Sequence, residues 1–177
     1  MVREISAGGV VIRNKDGVWW MAAIELPSEP DAEGLKAVGS AEDAGPRRTR
    51  SKAASRRKPV LCLPKGLVDS GEKALAAALR EVLEETGVST VPVAKLADIK
   101  YVYVRSWGDG ERVFKIVSFY LLRYESGRID NINNEMRVEV ARARWVKLEE
   151  APQLLAYRGE KQMARKALEY LKSHPEL

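Results

Sequence analysis

The sequence predicts an α+β fold, a mixed β-sheet with helices packed on it, and three observations point there. Apolar stretches of strand length dominate the first 26 residues and recur at 59–64, 91–124 and 143–148. One strongly periodic helix stands at 71–86, and two more follow near the C-terminus. Strands and helices also mix without the regular alternation of a parallel doubly wound sheet.

Taken in order, residues 3–13 and 17–26 read as two strands joined by a turn at Asn14–Gly17. Residues 27–59 then lose all periodicity, with acids early and an arginine cluster late, and read as a long basic, mobile insertion. PVLCLP, 59–64, is a short apolar strand. Helix 71–86 repeats Leu75, Leu79 and Val82 on one face, with Asp69 or Ser70 as its cap and Gly87 as its stop. Residues 91–105 and 111–124 form two long strands about the turn SWGDG, and ARWVKL, 143–148, is the last strand. A short helix near 149–157 and a longer one at 160–172 close the chain, the latter with Met163, Ala164, Ala167, Leu168 and Leu171 on one side. The whole, 1–177, reads as one domain.

Composition removes several kinds of chemistry. The one cysteine, Cys62, rules out an internal disulfide or a thiolate cage. The lone histidine, His174, lies three residues from the C-terminus and reads as a frayed, solvated side chain. Ser-His-Asp catalysis and multi-histidine zinc sites therefore drop out, leaving carboxylate, lysine or tyrosine bases and hard, oxygen-loving cations. No apolar run reaches the roughly 20 residues of a bilayer span, so no membrane association is expected. MVREISAGGVVIRN lacks the apolar core and flanks of a secretory leader, and a cytoplasmic location is the expectation.

Charge is placed unevenly. Segment 46–58 holds five arginines, two lysines and no acid, +7 against a chain total of +5, so the remainder carries −2. This segment admits three readings: a solvated insertion, a lid that gathers polyanions, or a nucleic-acid clamp. No aromatic residue lies between 21 and 100, so the loop offers no base-stacking platform and the clamp is disfavoured.

The helix poses the sharper question. REVLEETG crowds Glu81, Glu84 and Glu85 into five residues, where like charges repel. On a wheel centred on Val82, Glu81 and Glu85 share one flank at the edge of the buried face, with Glu84 just beyond. Ala74, Ala77 and Ala78 continue that flank as a floor of small side chains. Arg80 is the one cation alongside and is spaced to orient Glu84. A divalent cation, Mg²⁺ or Mn²⁺, turns such repulsion into attraction.

Gly66, Glu72, Arg80, Glu81, Val82, Glu84, Glu85, Gly87 and Val88 fill every specified position of Gly-x5-Glu-x7-Arg-Glu-U-x-Glu-Glu-x-Gly-U, U being aliphatic. In this the chain resembles the Nudix, or MutT-like, hydrolases. SAGGVVIR and ARWVKLEEA resemble the opening and closing strands of such domains; segment 27–59 has no counterpart. The resemblance implies a Nudix fold, an α/β/α sandwich, and a Mg²⁺- or Mn²⁺-dependent hydrolase of nucleoside diphosphate derivatives. It implies that Glu81, Glu84 and Glu85 hold the cations, with the Lys65 carbonyl and an acid ahead of the closing strand. For that acid Glu139 is the first choice and Glu135 the second.

LPKG, leading into the box, resembles diadenosine polyphosphate hydrolases and relatives acting on diphosphoinositol phosphates or 5′-triphosphate RNA. Lys115 interrupts the apolar face of Val113, Val117 and Phe119 in a strand apolar on both sides. An unpaired buried ammonium is costly, so this position is expected to open on a cleft holding anions. The resemblance also points to Lys65 and Lys115 as phosphate-binding groups, and Tyr101, Tyr103 and Tyr120 are candidates for stacking on a base. A non-catalytic regulatory module on the same scaffold is the competing class, disfavoured because every box ligand is retained.

Overall fold

The computed structural model describes residues 1–27, 58–105 and 110–177, so the insertion expected at 27–59 falls almost wholly outside them, as does most of the SWGDG turn. β1 (Val2–Lys15) and β2 (Val18–Glu25) form a hairpin. At its turn, Asp16 and Gly17 take positive φ (54° and 81°), and the Gly17 N–H donates to Asn14 Oδ1 at 3.1 Å. Then come β3 (Leu61–Cys62), β4 (Lys65–Leu67) and α1 (Ala74–Thr86). β5 (Val88–Val104) and β6 (Arg112–Gly127) follow, then a 3₁₀ turn (Asn134–Val138) and β7 (Arg142–Lys147). α2 (Ala151–Leu154) and α3 (Arg158–Ser173) complete the order.

The strands make one seven-stranded sheet in the order β3-β2-β1-β6-β5, with β4 on β1 and β7 on β2. β1 runs parallel to β6 and every other pairing is antiparallel, so the sheet is mixed as expected. Side chains alternate between its faces. Val10 and Ile12 of β1 and Val117, Phe119 and Leu121 of β6 pack with Leu155 and with Met163, Ala164 and Ala167 of α3. Val11 and Leu122 face the other way, onto Val82 of α1. Helices thus cover both faces, an α/β/α sandwich. Phe119 and Leu121, almost wholly buried, each contribute about 1.5–3 kcal/mol by leaving water.

One irregularity positions everything that follows. β6 occupies one edge of β1 and β7 one edge of β2, so the facing edges of β1 and β2 must be shared. They pair with each other only from Ile12/Met21 to Lys15/Val18. Beyond that the two strands diverge; β3 takes the freed edge of β2 and β4 that of β1. The link Leu63–Pro64 crosses this split in the sheet.

Several local expectations are corrected. The apolar run 59–64 yields only two strand residues before the crossing. α1 starts at Ala74, not 71, and neither Asp69 nor Ser70 caps it. Residues 69–72 instead form a turn in which the Glu72 N–H donates to the Asp69 carbonyl and the Asp69 N–H to Glu72 Oε2, both at 3.0 Å. Gly87 does end the helix in the left-handed conformation, φ 82°, with its N–H on the Leu83 carbonyl. His174 is not a frayed side chain: its ring stacks on Tyr170 at 3.9 Å between centroids and its Nδ1–H donates to the Tyr170 carbonyl at 2.8 Å.

Candidate active site

Glu81 and Glu85 lie buried on the flank of α1 that faces β4, whereas Glu84 is exposed, as the helical wheel requires. The floor is close-packed. Ala77 and Ala78 are fully buried against Ala7, and the Glu81 carboxyl lies so near the Gly66 backbone that a Cβ there would collide with it. Only glycine at 66 leaves Glu81 its place.

Backbone pairing aims β4 at the helix. Gly9 N–H donates to the Pro64 carbonyl and Val68 N–H to that of Ile5, so Lys65 and Leu67 occupy the alternate positions whose peptide groups face away from β1. The Lys65 N–H accordingly donates to Glu85 Oε2 at 3.0 Å, and the Leu67 carbonyl accepts from Arg80 Nη2 at 2.9 Å. The Lys65 carbonyl opens in the same direction as its N–H.

Arg80 gathers the acids. It grips Glu72 through two hydrogen bonds (2.9 and 3.0 Å) and reaches Glu81 at 2.8 Å and Glu84 at 3.2 Å. The predicted Arg80–Glu84 pairing is present, but the fork on Glu72 dominates and holds that carboxyl down at about 2. Glu85 shows the opposite behaviour: burial pushes its carboxyl up to about 8, against the Lys65 charge and N–H, with Glu81 and Glu139 adding repulsion. Burial likewise raises Glu81, Arg80 opposing and Glu84 and Glu139 adding to the rise.

Glu139 follows the 3₁₀ turn, exposed, close enough for its charge to act on both Glu81 and Glu85. The turn is held by Arg137, which donates to Asp130 Oδ1 at 2.7 Å and to the Asp130 and Ala141 carbonyls. Among the described residues no three acids stand close enough together to hold a metal ion, and Arg80 pairs with both Glu81 and Glu84. The donors nonetheless suit a hard divalent cation: all are oxygens, mutually repelling, and the Glu81 carboxyl is seated against a glycine.

The sheet's other face carries the lysines. The Lys65 ammonium turns toward α3 and pairs with buried Glu160 at 3.8 Å. Lys115 pairs with Glu4, its register partner on β1, at 3.7 Å. The anion demanded by a buried Lys115 is therefore supplied by the chain itself. Burial lowers the Lys115 ammonium, Glu4 opposes, and the Lys65 charge lowers it further. Tyr103 donates its hydroxyl to Glu4, and Tyr101 lies 6.3 Å from Tyr103 between ring centroids. Tyr120 does not join them: it is on the opposite face, packed against Ala7, Ala77 and Ala78.

Sequence reasoning missed Glu4 and Glu160. Glu160 lies on the apolar face of α3 with Met163, Ala164 and Ala167, and an acid at that spacing was the available signal.

Residues 46–168 match the NUDIX domain family. The chain belongs to that family. The MutT4 protein of Mycobacterium tuberculosis is 34% identical over 170 residues, covering 96% of this chain and 56% of its own length. The chain thus spans about half the length of that relative. A Caenorhabditis elegans Ap4A hydrolase binary complex shares the fold, with TM-score 0.63, 19% identity, and 96% and 98% of the two chains covered. So does the NUDIX domain of Shewanella oneidensis NrtR complexed with ADP ribose, with TM-score 0.59, 16% identity, and 97% and 90% covered. Among the described residues no helix is long and apolar enough to cross a membrane.

Proposed function

We propose that this Nudix chain is a divalent-cation-dependent pyrophosphohydrolase of nucleoside polyphosphates, cutting diadenosine tetraphosphate to ATP and AMP. The observation that carries the reading is the crossing at Lys65. Its N–H orients Glu85 on the α1 side, and its ammonium lies on the sheet face that carries Lys115. A chain of phosphates reaching both lysines would exchange their internal partners, Glu160 and Glu4, for its own charges.

Glu81, Glu84 and Glu85, joined by Glu139 and the Lys65 carbonyl, would hold Mg²⁺ or Mn²⁺. When bound, the cation polarises phosphate oxygens and lowers the pKa of the attacking water. Arg80 orients Glu81 and Glu84 through Nη1 while Nε and Nη2 hold Glu72. Lys65 and Lys115 bind the phosphate chain away from the cut. Tyr103, hydrogen-bonded to Glu4, and Tyr101, the register partner of Lys115 on β5, would offer faces to a base. Tyr120 contributes packing beneath the helix, not base contact.

Remote phosphates bound by lysine lower the barrier at the cut. Diadenosine tetraphosphate should therefore turn over faster than single nucleoside triphosphates, with ATP and AMP as products by mass spectrometry. Lys115→Ala should lose efficiency mainly on the long chain, with little change on a nucleotide sugar. Two ADP molecules as products would remove the asymmetric substrate reading. Preference for nucleoside triphosphates, diphosphoinositol polyphosphates or RNA 5′-ends would redirect it within the same reaction class.

A further inference from the structure

Glu160 is buried to within 3% of its surface, between α3 and the link that crosses the split sheet. Its Oε2 accepts the Leu63 N–H at 3.3 Å, across 97 residues of sequence. Its Oε1 has no hydrogen-bond donor among the described residues; what faces it is the Lys65 ammonium at 3.8 Å. A carboxylate so placed is costly unless it is paired. The same three-residue link, Leu63–Lys65, is held from the opposite side by Glu85, through the Lys65 N–H at 3.0 Å. Two buried acids from two helices therefore grip one crossing, and a single ammonium lies within the field of both.

We propose that Glu160 is a positioning residue that holds the Lys65 ammonium on the α3 side of the sheet, away from Glu85, so that Glu85 stays open to a divalent cation. The inference rests on the reading of Glu85 as a cation ligand. Among the described residues the ammonium makes its one ion pair with Glu160. Without that counter-charge the buried acid left at the same residue is Glu85, which already accepts the Lys65 N–H at 3.0 Å, and a lysine turned there competes with the cation for the same carboxylate. A merely structural Glu160 would be satisfied by any acceptor for the Leu63 N–H. Glutamine supplies that acceptor at nearly the same volume and removes only the charge.

The test is Mn²⁺ titration of the full chain without substrate, followed by electron paramagnetic resonance. Glu160→Gln is expected to weaken Mn²⁺ binding at least about 5-fold, the scale of one misplaced charge about 4 Å away even at the dielectric of water. Adding Lys65→Met to Glu160→Gln should restore affinity to within about 2-fold of Lys65→Met alone, because the competitor is gone. If Glu160→Gln fails to melt cooperatively, Glu160→Asp, which withdraws the charge by one methylene, is titrated instead, with weakening again expected. Mn²⁺ binding that Glu85→Gln weakens but the Glu160 variant leaves unchanged overturns this inference alone. Binding that Glu85→Gln leaves unchanged overturns the assignment of Glu85, and this inference with it.

Discussion

Arg80 closes a two-point fork on Glu72, with Nε meeting Oε1 at 2.9 Å and Nη2 meeting Oε2 at 3.0 Å, eight residues apart in sequence. The fork ties the turn before α1 to the middle of the helix and leaves Nη1 for Glu81 and Glu84. Arg80→Lys cannot close it, because an ammonium lacks the planar pair of donors. Turnover should fall at least about 10-fold while the fold persists. Circular dichroism beside a rate assay checks both, and unchanged turnover would remove Arg80 as the organiser.

The same fork sets a pH dependence. The Glu72 carboxyl is held at about 2 in the folded protein, chiefly by its hydrogen bonds to Arg80, against 4.5 for the free group. A depressed carboxyl contributes stability that is complete above about 4.5 and is lost as pH falls toward 2. The melting-temperature gap between wild type and Glu72→Gln should thus be full at neutral pH and narrow through that window. A gap that stays constant would show that the fork is not populated in solution.

Glu84→Gln and Glu85→Gln should each lower turnover by at least about 10²-fold, since each removes a charge proposed to hold the cation. Without metal, melting temperatures should hold or rise, because glutamine at 85 still accepts the Lys65 N–H and the repulsion from Glu81 and Glu139 is relieved. Either variant retaining more than about a tenth of wild-type turnover contradicts the site.

Glu139 and Glu135 separate cleanly. Glu139→Gln should lower turnover about 10-fold or more, whereas Glu135→Gln should stay within about 2-fold of wild type. Arg137→Ala, which frees the 3₁₀ turn from Asp130, should reproduce part of the Glu139→Gln loss and add little to it in the double variant. Full additivity would place Glu139 outside the unit formed with Arg137.

Cys62 should be inert. Burial, with the charges of Glu160 and Glu85 adding, pushes its thiol up to about 12 despite the opposing Lys65 charge. At pH 8 the native protein should resist a disulfide reagent for hours and react at once in guanidinium. Rapid native labelling would mean that the Leu63–Lys65 crossing opens readily.

The contrast between what the sequence shows and what it hides is one of range. Glu81, Glu84, Glu85 and Arg80 are helical neighbours, so spacing alone told the buried flank from the exposed acid, and the box was legible letter by letter. Glu160 and Glu4 act through partners on other elements, and no local pattern announces that Lys65 and Lys115 have internal counter-ions. The helix start was misplaced because Glu72 is drawn back to Arg80 and to the Asp69 N–H, which leaves residues 69–72 a turn. β4 was invisible because three residues around a glycine carry no strand signal; its pairing with β1 is a tertiary outcome.

The most direct measurement follows hydrolysis of diadenosine tetraphosphate in ¹⁸O water by mass spectrometry, with Mg²⁺ and with a chelator. The expected result is one ¹⁸O atom entering a phosphate of ATP or AMP per cut, dependence on the cation, and near-complete loss in Glu85→Gln. Unlabelled products, or turnover that survives both the chelator and Glu85→Gln, would contradict it.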